Sequence, residues 1–425
     1  MEEREKAIIA GINIKEEDNF ENSMEELSNL ADACGIEVAG RITQKLNQIN
    51  SSHYLGKGKI DELLKLIDEK NVDTVIFNDE LTPSQIRNLE DILDCRIIDR
   101  TSVILDIFAL RARTREAQLQ VEIAKLQYML PRLAGSGESM DRQGGRSGLK
   151  NRGAGETKLE LDHRKIESRI SSLNKELQTL VSQRQNQRKR RKKKDIPVVA
   201  LVGYTNAGKS TVMNAMLDLF NFSYDKQVFE KDMLFATLET SVRRIDLPDN
   251  KSFLLTDTVG FISKLPHYLV KAFRSTLEEV SEADMLIHVV DYSNPNYIEH
   301  MDVTKTTLKE LGADDIPVVY CYNKVDMLND DVPENGENSI YISAKKRIGI
   351  EDMLNVIRSK IFGGYVNCNM MIPYDKGSMV SYLNENANVK STRYKSDGVL
   401  VSVECKESDY KKYKEYVCGI DNNNV

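Results

Sequence analysis

The chain has 425 residues and a formal net charge of −7, with 40% apolar and 29% charged residues. This balance is typical of a soluble protein long enough for about three domains, and no run of about 18 apolar residues suggests a transmembrane helix. The six cysteines are far apart and form no CxxC pair. This argues against a disulfide scaffold and a zinc site, and favours a reducing cytoplasm.

The first 103 residues are predicted to form an α/β domain. Apolar runs at 7–13, 36–42, 72–78 and 95–100 have the composition of strands, and amphipathic stretches at 20–33, 59–70 and 82–93 separate them. Strands that alternate with helices predict a parallel sheet covered by helices. Thr82 followed by Pro83 is a favourable start for a helix.

Residues 104–194 are predicted to form an antiparallel helical hairpin. Apolar residues recur at steps of three and four in two stretches, which indicates one apolar face on each of two helices. The stretches are Leu119, Ile123, Leu126 and Leu130, and then Ile166, Ile170, Leu173, Leu177 and Leu180. Between them, residues 132–156 are rich in glycine and form the predicted tip of the hairpin, a loop long enough to favour a functional role.

Positive charge is concentrated in this region. Residues 141–194 contain 17 Lys and Arg against 6 Asp and Glu, although the whole chain is acidic. The densest run is RKRRKKK at 188–194. A basic segment of this kind indicates a polyanionic partner. We favour contact with RNA phosphates, through this run and through Lys150, Arg152 and Lys158 at the tip, over a passive linker.

Residues 195–363 are predicted to form a nucleotide-binding α/β domain. An apolar strand runs into GYTNAGKS, which matches the phosphate-binding loop GxxxxGK[ST] and is followed by a helix. Backbone N–H groups of such a loop bind phosphates, its lysine reaches the β- and γ-phosphates, and its serine binds Mg²⁺. The predicted contacts are Gly203, Tyr204, Thr205, Asn206, Ala207, Gly208, Lys209, Ser210 and Thr211.

Three further motifs resemble those of translational-type GTPases, and they select GTP over ATP. DTVG, which comprises Asp257, Thr258, Val259 and Gly260, resembles the DxxG switch. NKVD, which contains Asn323, Lys324 and Asp326, resembles the guanine motif NKxD, whose carboxylate accepts two hydrogen bonds from guanine. Ser343, Ala344 and Lys345 resemble the SAK loop that closes over the base. The four motifs occur in order, each beside a predicted strand.

The resemblance also assigns roles in catalysis and metal binding. Thr237, in a segment with Phe235 and Ala236 as further nucleotide contacts, resembles the switch threonine that binds Mg²⁺ and senses the γ-phosphate. Ser210 and Thr237 are thus expected to ligate Mg²⁺ directly, and Asp257 through water. Lys209, Thr237 and Gly260 are the expected catalytic residues. An ordinary strand threonine is the alternative for Thr237.

Two positions near these motifs bear on the rate of hydrolysis. Many GTPases carry a glutamine after the DxxG glycine to orient the attacking water, but this chain has Phe261. Intrinsic hydrolysis is therefore expected to be slow or assisted. Asn206 occupies the position where some GTPases hold a monovalent cation near the phosphates, which gives one hypothesis for that assistance.

Residues 366–425 are predicted to form a small α+β domain. The segments 366–373 and 398–405 have the pattern of strands, and 409–417 that of a short helix. The predicted fold is therefore a multidomain α/β protein with a parallel N-terminal sheet, a helical hairpin, a mixed and mostly parallel GTPase sheet, and this last domain. None of its residues suggests a function.

Long motifs outside the nucleotide domain resemble the HflX family of GTPases. RGAGETKLELDHRKI (152–166) resembles the signature RGxGETxLExDRR, with Ala154, Lys158 and His163 as departures from the family pattern. The segments 55–63, 77–90, 99–133, 232–248 and 257–280 also resemble the family. The resemblance covers about residues 1–363.

Membership of this family implies a cytoplasmic GTPase that binds the large ribosomal subunit and its rRNA and dissociates stalled or idle ribosomes. GTP is then the substrate and GDP a product, Mg²⁺ is the cofactor, and hydrolysis controls release. We expect a monomer that binds no DNA. Two alternatives remain: an rRNA-binding factor that blocks subunit association with hydrolysis as a timer, and a factor for ribosome assembly. ATP binding by the N-terminal region, described in the family, has no supporting phosphate-loop pattern here.

Overall fold

The structure is a computed structural model that describes residues 4–14, 19–133, 158–192, 196–220, 241–266, 268–269, 280–328 and 332–420. The described residues form two compact units. The first unit runs to Arg190 and also contains residues 259–269. The second unit contains the other described residues from Arg191 onward. Among all of these residues, no helix is both long and apolar enough to cross a membrane.

The first unit contains a four-stranded parallel sheet in the order β2-β1-β3-β4. Its strands are β1 (Lys6–Ile14), β2 (Glu37–Leu46), β3 (Thr74–Phe77) and β4 (Arg96–Asp99). The sequence predicted all four of them, and β2 extends four residues beyond the predicted end. Apolar side chains of β1 and β3 are buried, except the partly buried Ile14 at the end of β1, because helices cover both faces of a parallel sheet.

Four helices connect and cover these strands: α1 (Phe20–Ala33), α2 (Lys57–Lys70), α3 (Pro83–Leu93) and α4 (Arg100–Arg111). Thr82 caps α3 in a capping box with Gln85, as the Thr82-Pro83 pair suggested. The helix α4 crosses the domain boundary that we predicted between residues 103 and 104. Its side chains Ile104 and Ile107 are buried against the N-terminal sheet and α1.

The predicted hairpin consists of α5 (Arg115–Leu133) and α6 (Lys158–Lys192). Leu119, Ile123 and Leu173 form its buried seam, and four partly buried side chains pack against them: Leu126, Ile170, Leu177 and Leu180. Ion pairs join Arg115 to Glu176 and Arg169 to Glu122, so the helices are antiparallel. The glycine-rich tip, with Lys150 and Arg152, lies outside the described residues. Lys158 is the first residue of α6.

The second unit contains a six-stranded sheet in the order β10-β9-β8-β5-β7-β6, in which only β6 is antiparallel to its neighbour. Its strands are β5 (Val198–Val202), β6 (Ser241–Asp246), β7 (Ser252–Asp257), β8 (Met285–Asp291), β9 (Val318–Asn323) and β10 (Ser339–Tyr341). This is the mixed, mostly parallel sheet that the sequence predicted.

In the described part of the chain, the helices that flank this sheet are α7 (Lys209–Asp218), α8 (Tyr297–Glu310) and α9 (Ile350–Ile361). Apolar side chains of α7 and α9 share one core with those of β5, β7, β8 and β9. The helix α8 packs against β8 on the sheet's other face. In a parallel sheet the carboxyl ends of the strands meet at one edge, where ligands bind. The four predicted nucleotide motifs all follow such strand ends.

The second unit also contains an antiparallel sheet in the order β12-β13-β11-β14, built from β11 (Tyr365–Ile372), β12 (Asn388–Lys395), β13 (Gly398–Lys406) and β14 (Val417–Ile420). Helices α10 (Gly377–Asn386) and α11 (Glu407–Lys412) complete a βαββαβ unit. The predicted helix over 409–417 is wrong at its end. Val417 begins β14, because the chain there pairs with β11.

Candidate functional site

The GYTNAGKS segment forms a loop between β5 and α7. Two of its glycines occupy positions that other residues would not fit. Gly203 has a φ of 146°, and a β-carbon there would collide with the Val289 carbonyl oxygen. Gly208 has a φ of 94°, and its β-carbon would collide with the side-chain nitrogen of Asn323. The loop therefore packs directly against the neighbouring strands β8 and β9, at the amino end of α7.

The lysine of this loop is buried inside it. The Lys209 ammonium donates hydrogen bonds to the carbonyl oxygens of Gly203 at 3.0 Å and Tyr204 at 2.8 Å. Burial lowers the pKa of Lys209 to about 8, and the carboxylate of Asp257 opposes that shift. A buried cation bound mainly to carbonyl dipoles is poorly compensated. The loop thus holds a positive charge where an anionic phosphate group would stabilise it.

Ser210 and Asp257 come together on the same side of the loop. The Ser210 hydroxyl donates to Asp257 Oδ2 at 2.6 Å, although the two residues are 47 positions apart in the chain. Asp257 ends β7 and is fully buried, and the neighbouring Thr258 hydroxyl donates to the Leu201 carbonyl oxygen at 2.6 Å. A hydroxyl beside a carboxylate suits a hard divalent cation such as Mg²⁺, whose ligands are oxygens.

Asn323 joins the phosphate loop to the predicted base-binding loop. Its side-chain nitrogen donates to the Ala207 carbonyl oxygen at 2.9 Å. Its side-chain oxygen accepts from the Ala344 backbone N–H at 3.0 Å. One buried amide therefore fixes both loops at the carboxyl end of β9. This position explains why an asparagine, with one donor and one acceptor group, suits the first position of NKVD.

The carboxylate of Asp326 lies beside the SAK loop. The Ser343 hydroxyl donates to Asp326 Oδ1 at 2.6 Å, and the Lys346 ammonium lies 3.8 Å from Oδ2. Ser343 and Ala344 are buried, and Lys345 is exposed at the surface of the loop. Asp326 can thus present its carboxylate to the edge of a base while a hydroxyl orients it.

Asp291 is a residue of this site that the sequence analysis missed. Its Oδ2 atom lies 2.7 Å from the ammonium of Lys324, the second residue of NKVD. The backbone N–H of the next residue, Tyr292, donates to the Asn323 carbonyl oxygen at 3.0 Å. Asp291 ends β8, the strand between those that carry the phosphate loop and NKVD. A carboxylate at that strand end was the available signal.

The remaining loop residues differ in exposure. Thr205 and Ala207 are buried, Ser210 and Thr211 are half-buried, and Asn206 is exposed with a φ of 60°. Tyr204 is buried, and its ring stacks on that of His300 in α8 with centroids 3.8 Å apart. Asn206 is therefore open to solvent, where the sequence analysis proposed a monovalent cation.

Some predicted site residues cannot be placed with this group. Phe235, Ala236 and Thr237 lie outside the described residues. The chain passes from the second unit to the first between Thr258 and Val259, so Gly260 belongs to the first unit. Phe261 is buried there, as is Ile262. Within the described part of the chain, no group of three or more His, Cys, Asp or Glu side chains is placed to hold a metal ion.

Four protein-family models match successive parts of the chain. Family models match residues 21–109 (GTP-binding GTPase N-terminal), 111–191 (GTP-binding GTPase middle region), 198–324 (50S ribosome-binding GTPase) and 331–416 (HflX C-terminal domain). A crystal structure of a GTP-binding protein from Sulfolobus solfataricus in complex with GDP matches 84% of this chain and 99% of its own. Its sequence identity is 25% and its TM-score 0.44.

Curated relatives match over nearly the whole length. The GTPase HflX of Caldanaerobacter subterraneus subsp. tengcongensis is 46% identical over 402 residues, which cover 95% of this chain and 91% of the relative. The GTPase HflX of Escherichia coli is 37% identical over 93% of this chain and 92% of its own. The chain therefore belongs to the HflX family of GTPases, enzymes that hydrolyse GTP.

Proposed function

We propose that this GTPase binds the large ribosomal subunit through rRNA and dissociates stalled or idle ribosomes, and that GTP hydrolysis controls its release. One of the family models that match the chain is described as a 50S ribosome-binding GTPase. The observation that carries the proposal further is the hairpin of α5 and α6. A helix of 35 residues is about 50 Å long, so α6 separates the basic run at its C-terminal end from Lys158 and the glycine-rich segment at its N-terminal end.

The proposed mechanism begins with nucleotide binding in the second unit. The β- and γ-phosphates replace the Gly203 and Tyr204 carbonyl oxygens as partners of Lys209. The backbone N–H groups of the loop bind the same phosphates, and the Asp326 carboxylate accepts hydrogen bonds from guanine. Ser210 and Thr237 would hold Mg²⁺ directly and Asp257 through water. When bound there, the cation would supply positive charge beside the phosphates.

Hydrolysis requires a water molecule in line with the γ-phosphate. Phe261 supplies no hydrogen bond and is buried, so it does not orient that water. In our proposal the Gly260 amide contacts the γ-phosphate, and a group outside this chain completes the site when the subunit is bound. The exposed Asn206 side chain is the candidate holder of a monovalent cation. An equal hydrolysis rate in Na⁺ and K⁺ would exclude that role.

The test is GTP hydrolysis with and without purified large ribosomal subunits. We expect strong stimulation by the subunits. Lys209→Ala should lower kcat/KM by about 10³-fold, because it removes a charged donor to the reacting phosphates. Lys309→Ala changes an exposed lysine of α8 that belongs to none of the nucleotide motifs, and it is the matched comparison for loss of charge. GTP binding without any stimulation would exclude the mature subunit as the activator and favour the assembly role.

A second measurement separates splitting from blocked association. Intact ribosomes are mixed with the protein and either GTP or a nonhydrolysable analogue, and subunits are resolved by sedimentation. Dissociation in both conditions means that binding energy splits the ribosome and hydrolysis serves release. Subunits that stay apart only when they were already separated would support an anti-association factor instead.

A further inference from the structure

Four tyrosines in the second unit lie together at the surface, and we call Tyr292, Tyr297, Tyr322 and Tyr341 the tyrosine cluster. The rings of Tyr322 and Tyr341 stack with centroids 4.9 Å apart and an interplanar angle of 16°. Tyr292 makes edge contacts with the other three rings at 5.1–5.4 Å. All four side chains are half-buried. Neither the nucleotide motifs nor the proposed mechanism uses any of these rings.

The cluster lies on the sheet face that carries α8, whose first residue, Tyr297, contributes one of its rings. Alternate residues of β9 face opposite sides, so Val319 and Cys321 enter the core with α7 and α9, and Tyr320 and Tyr322 face the other side. The helix α8 covers β8 on that side. Between β9 and β10 the described residues contain only a 3₁₀ turn, Val325–Met327. Aromatic rings from α8, β9 and β10 therefore pack against one another on this face of the sheet.

A purely structural role accounts for only part of this arrangement. The backbone of Tyr292 supports Asn323, so the cluster does help to hold the guanine motif. That support needs no exposed ring, and two large apolar side chains near these tyrosines in the sequence are exposed. Ile298, next to Tyr297 in α8, is 61% exposed, and Met327 is 66% exposed. An apolar surface with a polar border is a feature of interaction sites.

The surrounding charge selects the kind of partner. Residues 280–345 contain 13 Asp and Glu against 4 Lys, a net charge of −9. Glu334 and Glu337, in the loop that leads into β10, are exposed, and the Glu337 carboxylate lies 3.5 Å from the Lys360 ammonium while its side chain stays 88% exposed. On the same side of the sheet, the Lys305 ammonium lies 5.8 Å from the Tyr320 ring centroid. Aromatic faces attract cations, and the negative charge repels nucleic acid.

We propose that the tyrosine cluster and its acidic border bind a lysine- and arginine-rich segment of a partner protein. Guanidinium groups stack on the Tyr322 and Tyr341 rings, and ammonium groups pair with Glu334 and Glu337. The proposal rests on the proposed function only for the source of this segment, a protein of the large ribosomal subunit. The enzyme would then contact RNA through its basic hairpin and protein through its acidic GTPase surface.

The chain contains no tryptophan, which provides a direct test. The full-length variant Tyr341→Trp carries a single tryptophan in the cluster, and its fluorescence is followed during titration with a short peptide of alternating arginine and glycine. We expect a saturable change. Adding Glu334→Lys and Glu337→Lys should weaken the apparent affinity about tenfold or more, because attraction becomes repulsion. Tyr297→Trp is the second reporter if the first variant folds poorly.

The matched control reverses two exposed charges elsewhere. Asp68→Lys with Glu69→Lys, in α2 of the first unit, changes the net charge equally and should leave the titration unchanged. Equal responses to a glutamate–glycine peptide or to oligouridine would overturn the proposal, as would a tryptophan that ignores the basic peptide. A response that appears only after serines replace residues 188–194 would mean that the chain's own basic run occupies the surface, and would also overturn it.

The two proposals fail separately. Wild-type protein that does not sediment with large subunits contradicts the proposed function, whereas the peptide titration can still succeed. Conversely, subunit-stimulated hydrolysis in the wild type together with a silent titration contradicts only the role of the cluster. We expect both subunit-stimulated hydrolysis and a saturable peptide titration. The variant with Glu334→Lys and Glu337→Lys should also sediment less with subunits than the α2 control.

Discussion

Two buried polar groups, one in each unit, show how a binding site differs from a structural network. In the second unit, the buried ammonium of Lys209 contacts two carbonyl oxygens of its own loop. In the first unit, the guanidinium of Arg100 forms an ion pair with Glu26, and both groups also contact Ser263. Asn78 Oδ1 accepts a further hydrogen bond from Arg100 at 3.0 Å.

The difference lies in how each charge is compensated. The Arg100 side chain is 2% exposed and Glu26 is 13% exposed, so the folded protein supplies both signs of charge. Lys209 is buried with a lowered pKa, because carbonyl dipoles replace only part of its hydration. A structural network is thus stable without a ligand, whereas a binding site retains part of the cost of burial until the ligand arrives. Substitutions should therefore have opposite effects on stability in the two places.

The largest expected change in stability comes from Arg100→Leu. Removal of the guanidinium leaves Glu26 as a buried charge without its ion-pair partner, which costs about 3–5 kcal/mol of unfolding free energy. Arg96→Leu is the matched control in the same domain. Arg96 pairs with Glu5 at 3.4 Å with its side chain 58% exposed, and an exposed pair contributes at most about 1 kcal/mol.

Urea unfolding followed by circular dichroism measures both variants. The curves are analysed transition by transition, because two compact units need not unfold together. The expected loss should be confined to the transition of the first unit. Equal midpoints for Arg100→Leu and Arg96→Leu would show that the Arg100 network adds nothing beyond a surface pair.

In nucleotide-free protein, Lys209→Met should raise the free energy of unfolding, whereas Arg100→Leu lowers it. The pKa of Lys209 falls from 10.5 to about 8, which corresponds to a cost of about 3 kcal/mol at pH 7. The variant avoids this cost but loses two hydrogen bonds to carbonyl oxygens, so we expect a gain of at most about 3 kcal/mol. GTP should then stabilise the wild type and leave the variant unchanged.

The pH dependence of the unfolding free energy tests the same account of Lys209 independently. Between pH 8 and 10.5 the unfolded chain holds a proton on Lys209 that the folded protein has lost, so stability contributed by this group rises with pH. The advantage of the variant should therefore shrink across that window. Tyrosine ionisation affects both proteins equally and cancels in the difference. Parallel stability curves for the two proteins would contradict our account of the buried ammonium.

The same comparison explains what the sequence could and could not predict. Lys209 and Ser210 are adjacent within a motif whose spacing the chemistry of phosphate binding fixes, so the sequence alone predicts that both contact phosphate or its cation. Arg100 and Ser263 are 163 positions apart, in two separate segments that resemble the family but carry no spacing that pairs them. Their contact depends on tertiary packing, which residue patterns do not encode locally.

The sequence also predicted the presence of some strands better than the side chains that pack on them. The NKVD motif was expected beside a strand, and β9 does precede it, but the sequence could not show that the Tyr322 ring packs against Tyr341 of β10. The pattern of the C-terminal region predicted two strands and missed β12 and β14. In β12 most side chains are exposed, so the sequence shows no apolar alternation there.

The smallest effect is expected for a substitution of Asp291, which takes part both in an ion pair within the protein and in the predicted nucleotide site. It forms an ion pair inside the protein, yet its partner Lys324 belongs to the guanine motif. Asp291→Asn should weaken guanine-nucleotide binding by a few fold to about tenfold, because a charged partner orients Lys324 better than an amide does.

The measurement is the GDP dissociation constant by calorimetry, at low and high salt. Preference for guanine over adenine should persist, since Asp326 still reads the base. Asp302→Asn in α8 is the control, because its pair with Lys305 at 3.8 Å is exposed and far from any nucleotide motif in the chain. If Asp291→Asn and Asp302→Asn bind GDP equally well, Lys324 needs no carboxylate to hold its place. The ion pair would then be structural, like that of Arg100 in the first unit.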